Sequence, residues 1–237
     1  MPVGGGDASP RPAGASLDRG RWVSVGAMLA DAAALSSRDV EVLSRTAAHA
    51  GFLTVQHYRL RHRLLAGGWT PPLEREVCVR GTAAGLLPYD PDRDTVVLVE
   101  QFRMGPFVAG DPPWMTEIVA GMVEPGETPE AVASRECVEE AGCAPSALLP
   151  IARYFPSPGG LSERVHLFCG RVDSREAGTA GGLAHDHEDI RVRVVPWRTV
   201  RAGLARSDYA NAATLLALQW LALNRARVRR RWLGGAQ

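Results

Sequence analysis

The run from Gly121 to Gly142 gathers acid, glycine and proline in one place and constrains this chain more than any other stretch. Pro125 and Gly126 make a turn, Thr128 can cap a helix, Pro129 suits the first helical position, and Gly142 can stop it. The spacing predicts a helix from about Pro129 to Ala141. At about 100° per residue, Glu136, Glu139 and Glu140 share a face with Val132, whereas Ala131, Ser134, Val138 and Ala141 fall opposite and form the expected packing side.

Like charges spaced i, i+3 and i+4 repel on a bare helix by about 0.2–0.5 kcal/mol per pair. Such a cluster is more natural where a divalent cation neutralises it, and hard carboxylate oxygens suit magnesium, with manganese as the second choice. The plainer alternative is a solvated acidic face on which Arg135 pairs with Glu139. The glycine, the proline and Glu127, set in fixed relation to the helix, favour the cation.

These residues match a known pattern, G-x5-E-x7-R-E-U-x-E-E-x-G-U, at Gly121, Glu127, Arg135, Glu136, Glu139, Glu140 and Gly142. The stretch resembles the Nudix box of the Nudix hydrolases. Two positions that usually hold an aliphatic residue are Cys137 and Cys143, both small and apolar enough to pack.

The 237 residues, 46% of them hydrophobic, can bury a sizeable core as one domain or one domain with a subdomain. A net charge of +1 argues against a broad nucleic-acid surface. Every basic residue is arginine, which rules out a P-loop or Schiff-base lysine and leaves a side chain suited to gripping phosphate. Cys78, Cys137, Cys143 and Cys169 show no CxxC spacing, so a reducing compartment is the simpler expectation. No apolar run is long enough for a membrane span and the N-terminus lacks a signal-peptide core, so the protein is expected to be cytoplasmic.

Residues 1–38 form a low-complexity extension, expected to be poorly ordered, with an alanine-rich stretch at Val23 to Ala34. Residues 39–80 carry strand patterns at Val40 to Arg45, Phe52 to Leu65 and Glu74 to Arg80, a small antiparallel sheet. In the remainder, 81–237, strands are expected at Gly81 to Leu87, Thr95 to Phe102, Trp114 to Ala120, Leu148 to Phe155, Arg164 to Val172 and Ile190 to Val195. Loops join them through Pro88 to Asp94 and through Gly105, Gly110 and Pro113. Pro196 to Leu204 and Asn211 to Arg225 read as helices, and Arg225, Arg227, Arg229, Arg230 and Arg231 as a solvated cationic end. The loop Ser157 to Glu163 is a candidate substrate contact. The segment Gly178 to Asp189 is either a solvated or a catalytic lid. His185 and His187 raise a zinc site, but adjacent loop histidines more often face solvent.

From about Asp39 onward the chain is similar to the bacterial ADP-ribose pyrophosphatase group of Nudix hydrolases, through Glu100 to Arg103, Pro113 and Trp114, Ser157 to Gly160, Ser162 to Arg164, Glu188 to Val192 and Asn211 to Ala213. Pro158 and the N-terminal sheet region are marks of that group. The resemblance implies an α/β class fold, an α/β/α sandwich with a mixed sheet preceded by a small N-terminal antiparallel sheet, and a homodimer that exchanges that sheet. It implies magnesium, or manganese, held by the Ala120 carbonyl, Glu136, Glu140 and Glu188, with Glu139 nearby in a catalytic role. It also implies substrate contacts from Phe52, Arg75 and Glu76 at the adenine end, and from Arg103, Glu117, Met122, Gly159 and Glu163 elsewhere.

The lid general base of the group falls on Asp186, an aspartate where a glutamate is usual, so either Asp186 or Glu188 is the base. The implied reaction is hydrolysis of ADP-ribose to AMP and ribose 5-phosphate. Another nucleoside diphosphate sugar, or a Nudix-like binding module without catalysis, are the alternatives.

Overall fold

A computed structural model of the protein describes residues 35–182 and 188–234. Backbone contacts divide these into two units, 35–41 with 61–71, and 42–60 with 72–182 and 188–234. In the first, Ser36 caps a 3-10 turn at Ser37–Asp39 through a reciprocal box with Asp39. Arg61 and Arg63 both lie over the Trp69 ring, 5.1 and 4.7 Å from its centre.

Strands β1 (Val40–Ala50), β2 (Thr54–His62) and β3 (Leu73–Val79) form the expected small antiparallel sheet in that order. The larger sheet contains β4 (Thr82–Asp90), β5 (Thr95–Phe102), β6 (Trp114–Glu117), β7 (Val119–Val123), β8 (Ala147–Tyr154), β9 (Arg164–Arg171), β10 (Ala180–Gly181) and β11 (Ile190–Pro196). Its order is β10-β11-β5-β4-β9-β8, and it is mixed because β4 runs parallel to β9 while its other pairs are antiparallel.

Period-two alternation sends each strand's side chains to opposite helical layers. Val97 and Val99 of β5, with Leu86 and Phe168, pack on Val132, Ala133, Cys137 and Ala141 of α2 (Pro129–Ala141). Val96 and Leu98, with Leu87, Tyr89, Leu167 and Cys169, pack on Trp197 and Val200 of one helix and on Leu218, Leu221 and Trp232 of another. Those helices, Trp197–Arg206 and Ala212–Leu233, follow β11. The result is the expected α/β/α sandwich.

Several expected boundaries shift for physical reasons. The Gly105 to Gly110 loop contains a short helix, α1 (Met104–Ala109), so α2 is the second helix in the chain and the last two are α3 and α4. Trp114 to Ala120 is not one strand, because β4 and β5 pair only at Tyr89–Val96 and Asp90–Thr95 and then splay. Into the gap, β6 pairs with β5 and β7 with β4, and the chain crosses from one to the other at Ile118. The Ile118 N–H is satisfied by the Thr214 hydroxyl, 3.0 Å away.

The cationic end of the chain is also partly tied down. Arg225 forks onto the Asp94 carboxylate, and Arg229 donates to the Pro91 carbonyl and the Tyr89 hydroxyl, so helical pattern continues to Leu233. The stretch Val23 to Ala34 lies outside the described residues.

The turn that reverses β4 into β5 is organised by Asp90, 1% exposed. Its Oδ1 accepts the backbone N–H groups of Asp92 and Arg93 at 2.9 and 3.0 Å, and its Oδ2 accepts the N–H and hydroxyl of Ser174 at 2.9 and 2.7 Å. Burial alone would raise this carboxyl, but the donors from Arg93, Ser174 and Asp92 outweigh it and hold it below 3.8. A depressed carboxyl stabilises the fold fully above its unfolded value and loses that contribution as pH falls through the folded value. Replacing Asp90 by Asn is therefore expected to cost about 2 kcal/mol at neutral pH. The gap to wild type should narrow below pH 3.8, which urea melts at neutral and strongly acidic pH would check.

Candidate active site

The loop and helix singled out by the sequence form as expected. Thr128 accepts the Ala131 N–H at its hydroxyl, 3.2 Å, Pro129 opens α2, and Gly142 closes it in the left-handed conformation. The expected division of its faces does not hold. The buried positions are Val132, Ala133, Cys137, Glu140 and Ala141, whereas Val138 is half exposed and Ser134 is only partly covered. Glu140 thus stands within the packing face, with Glu136 at its edge, because the sheet covers a broader arc than the apolar residues alone mark out.

Glu140 is 3% exposed and accepts the Ala120 N–H at 3.2 Å. Burial pushes its carboxyl up to about 8; the Ala120 N–H opposes this, the charges of Glu136 and Glu188 add to it, and Arg103 opposes it. Glu136 is likewise raised, first by burial and then, against the pull of Arg135, by Glu139 and Glu188. Three carboxylates therefore sense one another at the end of β7.

Two glycines permit this crowding. A Cβ on Gly121 would fall inside the Glu136 carboxylate, 2.6 Å from its Cγ. A Cβ on Gly181 would overlap the Glu140 carbonyl, which lets the chain of β10 pass against α2. Gly182 then donates to the Glu139 carbonyl, 3.0 Å, and β11 is fastened to β5 by Glu100, which pairs with Arg191 at 3.0 Å and Arg193 at 2.7 Å. Glu188 is delivered between these two anchors.

Arg135 gathers the outer acids, at 2.9 Å from both Glu136 and Glu139 and 3.4 Å from Glu127. Glu127 also accepts the Glu124 N–H, 3.0 Å, and so holds the turn. The Arg135–Glu139 pair of the plainer sequence alternative is thus present, but it leaves Glu140 to the interior. Among the described residues no three acids, histidines or cysteines stand at metal-gripping distances, and Glu136 pairs with Arg135. The donor chemistry nevertheless fits a hard divalent cation: buried or half-buried carboxylates, the adjoining Ala120 carbonyl, and a glycine where a side chain would fill the space.

On the neighbouring strands, Arg103 forks onto Glu117, with Nε and Nη2 at 2.9 and 2.8 Å from Oε2. Arg80, which follows β3, donates to Glu163 at 3.1 Å and reaches the Met122 sulfur at 3.6 Å. It was not identified from sequence. Its partner lies 83 residues away, so no local spacing signals it. The loop carrying Gly159 and Glu163 is pinned to β3, because Cys78 donates to the Gly160 carbonyl and accepts from Ser162 N–H, 2.9 and 3.1 Å.

Three residues are expected at the adenine end. Phe52 is 97% exposed in the β1–β2 turn, Arg75 donates to the Glu74 carbonyl, and Glu76 lies opposite His57 in the register of β2 and β3. Asp186, and the histidines His185 and His187, lie outside the described residues. The four cysteines are free, Cys137 and Cys143 with sulfurs 3.8 Å apart.

The architecture is an α/β/α protein whose functional end is a glycine-turned loop and a carboxylate-lined helix. The NUDIX domain model matches residues 79–219. The chain is 43% identical over 194 residues to an ADP-ribose pyrophosphatase of Escherichia coli K12, covering 82% of this chain and 93% of that one. It is 40% identical over 200 residues to an ADP-ribose pyrophosphatase of Haemophilus influenzae, 83% and 92% of the two chains. A GDP-mannose pyrophosphatase of Cronobacter sakazakii is 34% identical over 151 residues, 63% and 78%. The crystal structure of an ADP compounds hydrolase shares the fold, with a TM-score of 0.62 at 18% identity over 83% of this chain and all of that one. The chain belongs to the Nudix family.

Because the three atoms nearest a Cβ at residue 121 all belong to the Glu136 side chain, from Cγ outward, Gly121→Ala should displace that side chain rather than the backbone. The expected outcome is a melting temperature within about 3 °C of wild type together with a loss of about two orders of magnitude in kcat, read by thermal melts and steady-state kinetics.

Proposed function

We propose that this Nudix hydrolase cleaves the diphosphate of ADP-ribose, giving AMP and ribose 5-phosphate. The observation that carries this is the buried Glu140 within electrostatic reach of Glu136 and Glu188, a set of hard oxygen donors at one end of α2. The names of the relatives at 40–43% identity over most of their length support the substrate.

The Ala120 carbonyl, Glu136, Glu140 and Glu188 would hold the divalent cation, magnesium in preference to manganese. Bound there, the cation neutralises the diphosphate and acidifies a water. Arg103 meets the phosphate oxygens and screens their charge as the bond breaks. Glu163, held by Arg80, and the adjoining Gly159 and Met122 line the ribose side. Water attacks phosphorus, its proton passes to Asp186 or Glu188 as base, and the bridging P–O bond breaks with its electrons on the leaving phosphate. Glu139, fixed by Arg135, adds negative charge beside the water.

The reading extends to a homodimer through residues 39–80, leaving 1–38 as an extension without an assigned role. Every residue of β1 is exposed, and Phe52 is free to stack on the adenine of a partner's site beside Arg75 and Glu76. Free cysteines throughout suit the cytoplasm, and no helix among the described residues is long and apolar enough to cross a membrane.

Turnover of ADP-ribose beside GDP-mannose, ADP-glucose and 8-oxo-dGTP, with magnesium and with chelator, tests the substrate. Magnesium-dependent preference for ADP-ribose is expected, and equal rates on several sugars would withdraw the name. Glu140→Gln should lower kcat by about a thousandfold while leaving the protein as stable as wild type or more so, because burial and two neighbouring carboxyls disfavour the charged form that glutamine cannot adopt. Near-normal turnover at saturating magnesium would remove Glu140 from the cation site.

A further inference from the structure

Glu117 is 3% exposed, and both of its oxygens are engaged. Oε2 accepts the Arg103 fork, and Oε1 accepts Nδ2 of Asn211 at 2.8 Å. The orientation of that amide follows from its other end. Asn211 Oδ1 accepts the backbone N–H of Thr214 at 2.9 Å and its hydroxyl at 3.0 Å, so the NH₂ is the end turned to Glu117. The Thr214 hydroxyl, fully buried and already donating, accepts the Ile118 N–H. Donation therefore runs in one direction from Ile118 through Thr214 and Asn211 to Glu117, which accepts the Arg103 fork from the other side.

This chain begins where β6 gives way to β7, two residues before Ala120, and passes through the N-cap of the 22-residue helix α4. A helix N-terminus favours an anion, which suits Glu117. A lone arginine samples many rotamers, and a buried carboxylate held from behind restricts it to one. The fork holds the Arg103 guanidinium at Glu117, the last residue of β6 before the crossing that leads to Ala120, within electrostatic reach of Glu140.

We propose that Asn211 is a positioning residue for the diphosphate. By fixing Glu117 it fixes Arg103, and Glu117 acts on substrate through that arginine. The inference rests on the proposed function and deepens it, placing the α4 N-terminus in control of the phosphate-binding arginine.

Serine caps a helix about as well as asparagine but is too short to reach Glu117, so Asn211→Ser separates the two roles of this residue. Asn211→Asp also caps and sets a second carboxylate against Glu117. The test is steady-state kinetics with magnesium, and calorimetric binding of ADP-ribose in chelator, for wild type, both single variants, Arg103→Ala and the Asn211→Ser/Arg103→Ala double variant.

Asn211→Ser is expected to raise KM and Kd about tenfold with the melting temperature within about 2 °C of wild type. Asn211→Asp should weaken binding further, and on the Arg103→Ala background Asn211→Ser should change Kd by less than about twofold. Unchanged KM and Kd in Asn211→Ser, or an equal weakening once Arg103 is gone, would overturn the proposal. If wild type turns over a different nucleoside diphosphate sugar instead, the ADP-ribose assignment falls. The same cycle on that sugar then decides the role of Asn211 by the same two results.

Discussion

A carboxylate placed inside a packing face is the feature on which the functional end of this protein depends. Glu140 occupies a position on α2 that geometry would give to an apolar residue, between Cys137 and Ala141, and the sheet closes over it. Burial disfavours its charged form, and Glu136 and Glu188 disfavour it further. The rest of the core must hold α2 in place against that repulsion. It does so with small side chains, Ala133, Cys137 and Ala141, which bring the helix close to β4 and β5, and with Gly121 and Gly181, which let backbone and carboxylates approach where any side chain would intrude.

The splay of β4 from β5 is the second requirement. Two strands paired at only two positions and then diverging leave a gap that β6 and β7 fill, and the crossing at Ile118 carries Glu117 toward one side and Ala120 toward the other. The arginine fork and the strand that carries Ala120 are thus set by one local departure from regular pairing. The α4 N-terminus satisfies the backbone group this departure would otherwise strand, through Thr214, and continues into the Asn211–Glu117 contact. Polar groups that would destabilise a plain sheet become the means of orienting the site.

Much of this was legible in the sequence where the signal was local. The bounds of α2, the extent of β5 and the turn at Pro125 follow from caps, alternation and glycine chemistry within a dozen residues. What misled was periodicity taken alone. The helical wheel of α2 marked Val138 as packed and set Glu140 on the face opposite the packing one, because hydrophobicity cannot report a face that the fold covers for chemical reasons. The run Trp114 to Ala120 looked like one strand because a crossing between two partners leaves no mark in the alternation of side chains. The arginines near the C-terminus looked solvated because Asp94 and Tyr89, which hold Arg225 and Arg229, lie more than a hundred residues earlier.

The sequence by itself determined the family and the loop-and-helix that carries the glutamates, since both are written in spacings short enough for neighbouring residues to encode. Only the tertiary structure decided which carboxylate is buried, how Arg80 meets Glu163, and how Asn211 stands behind Glu117 and Arg103. Those contacts join residues 83 and 94 positions apart. Their distances are set by how strands and helices pack, and packing is a property of the whole chain rather than of any segment of it.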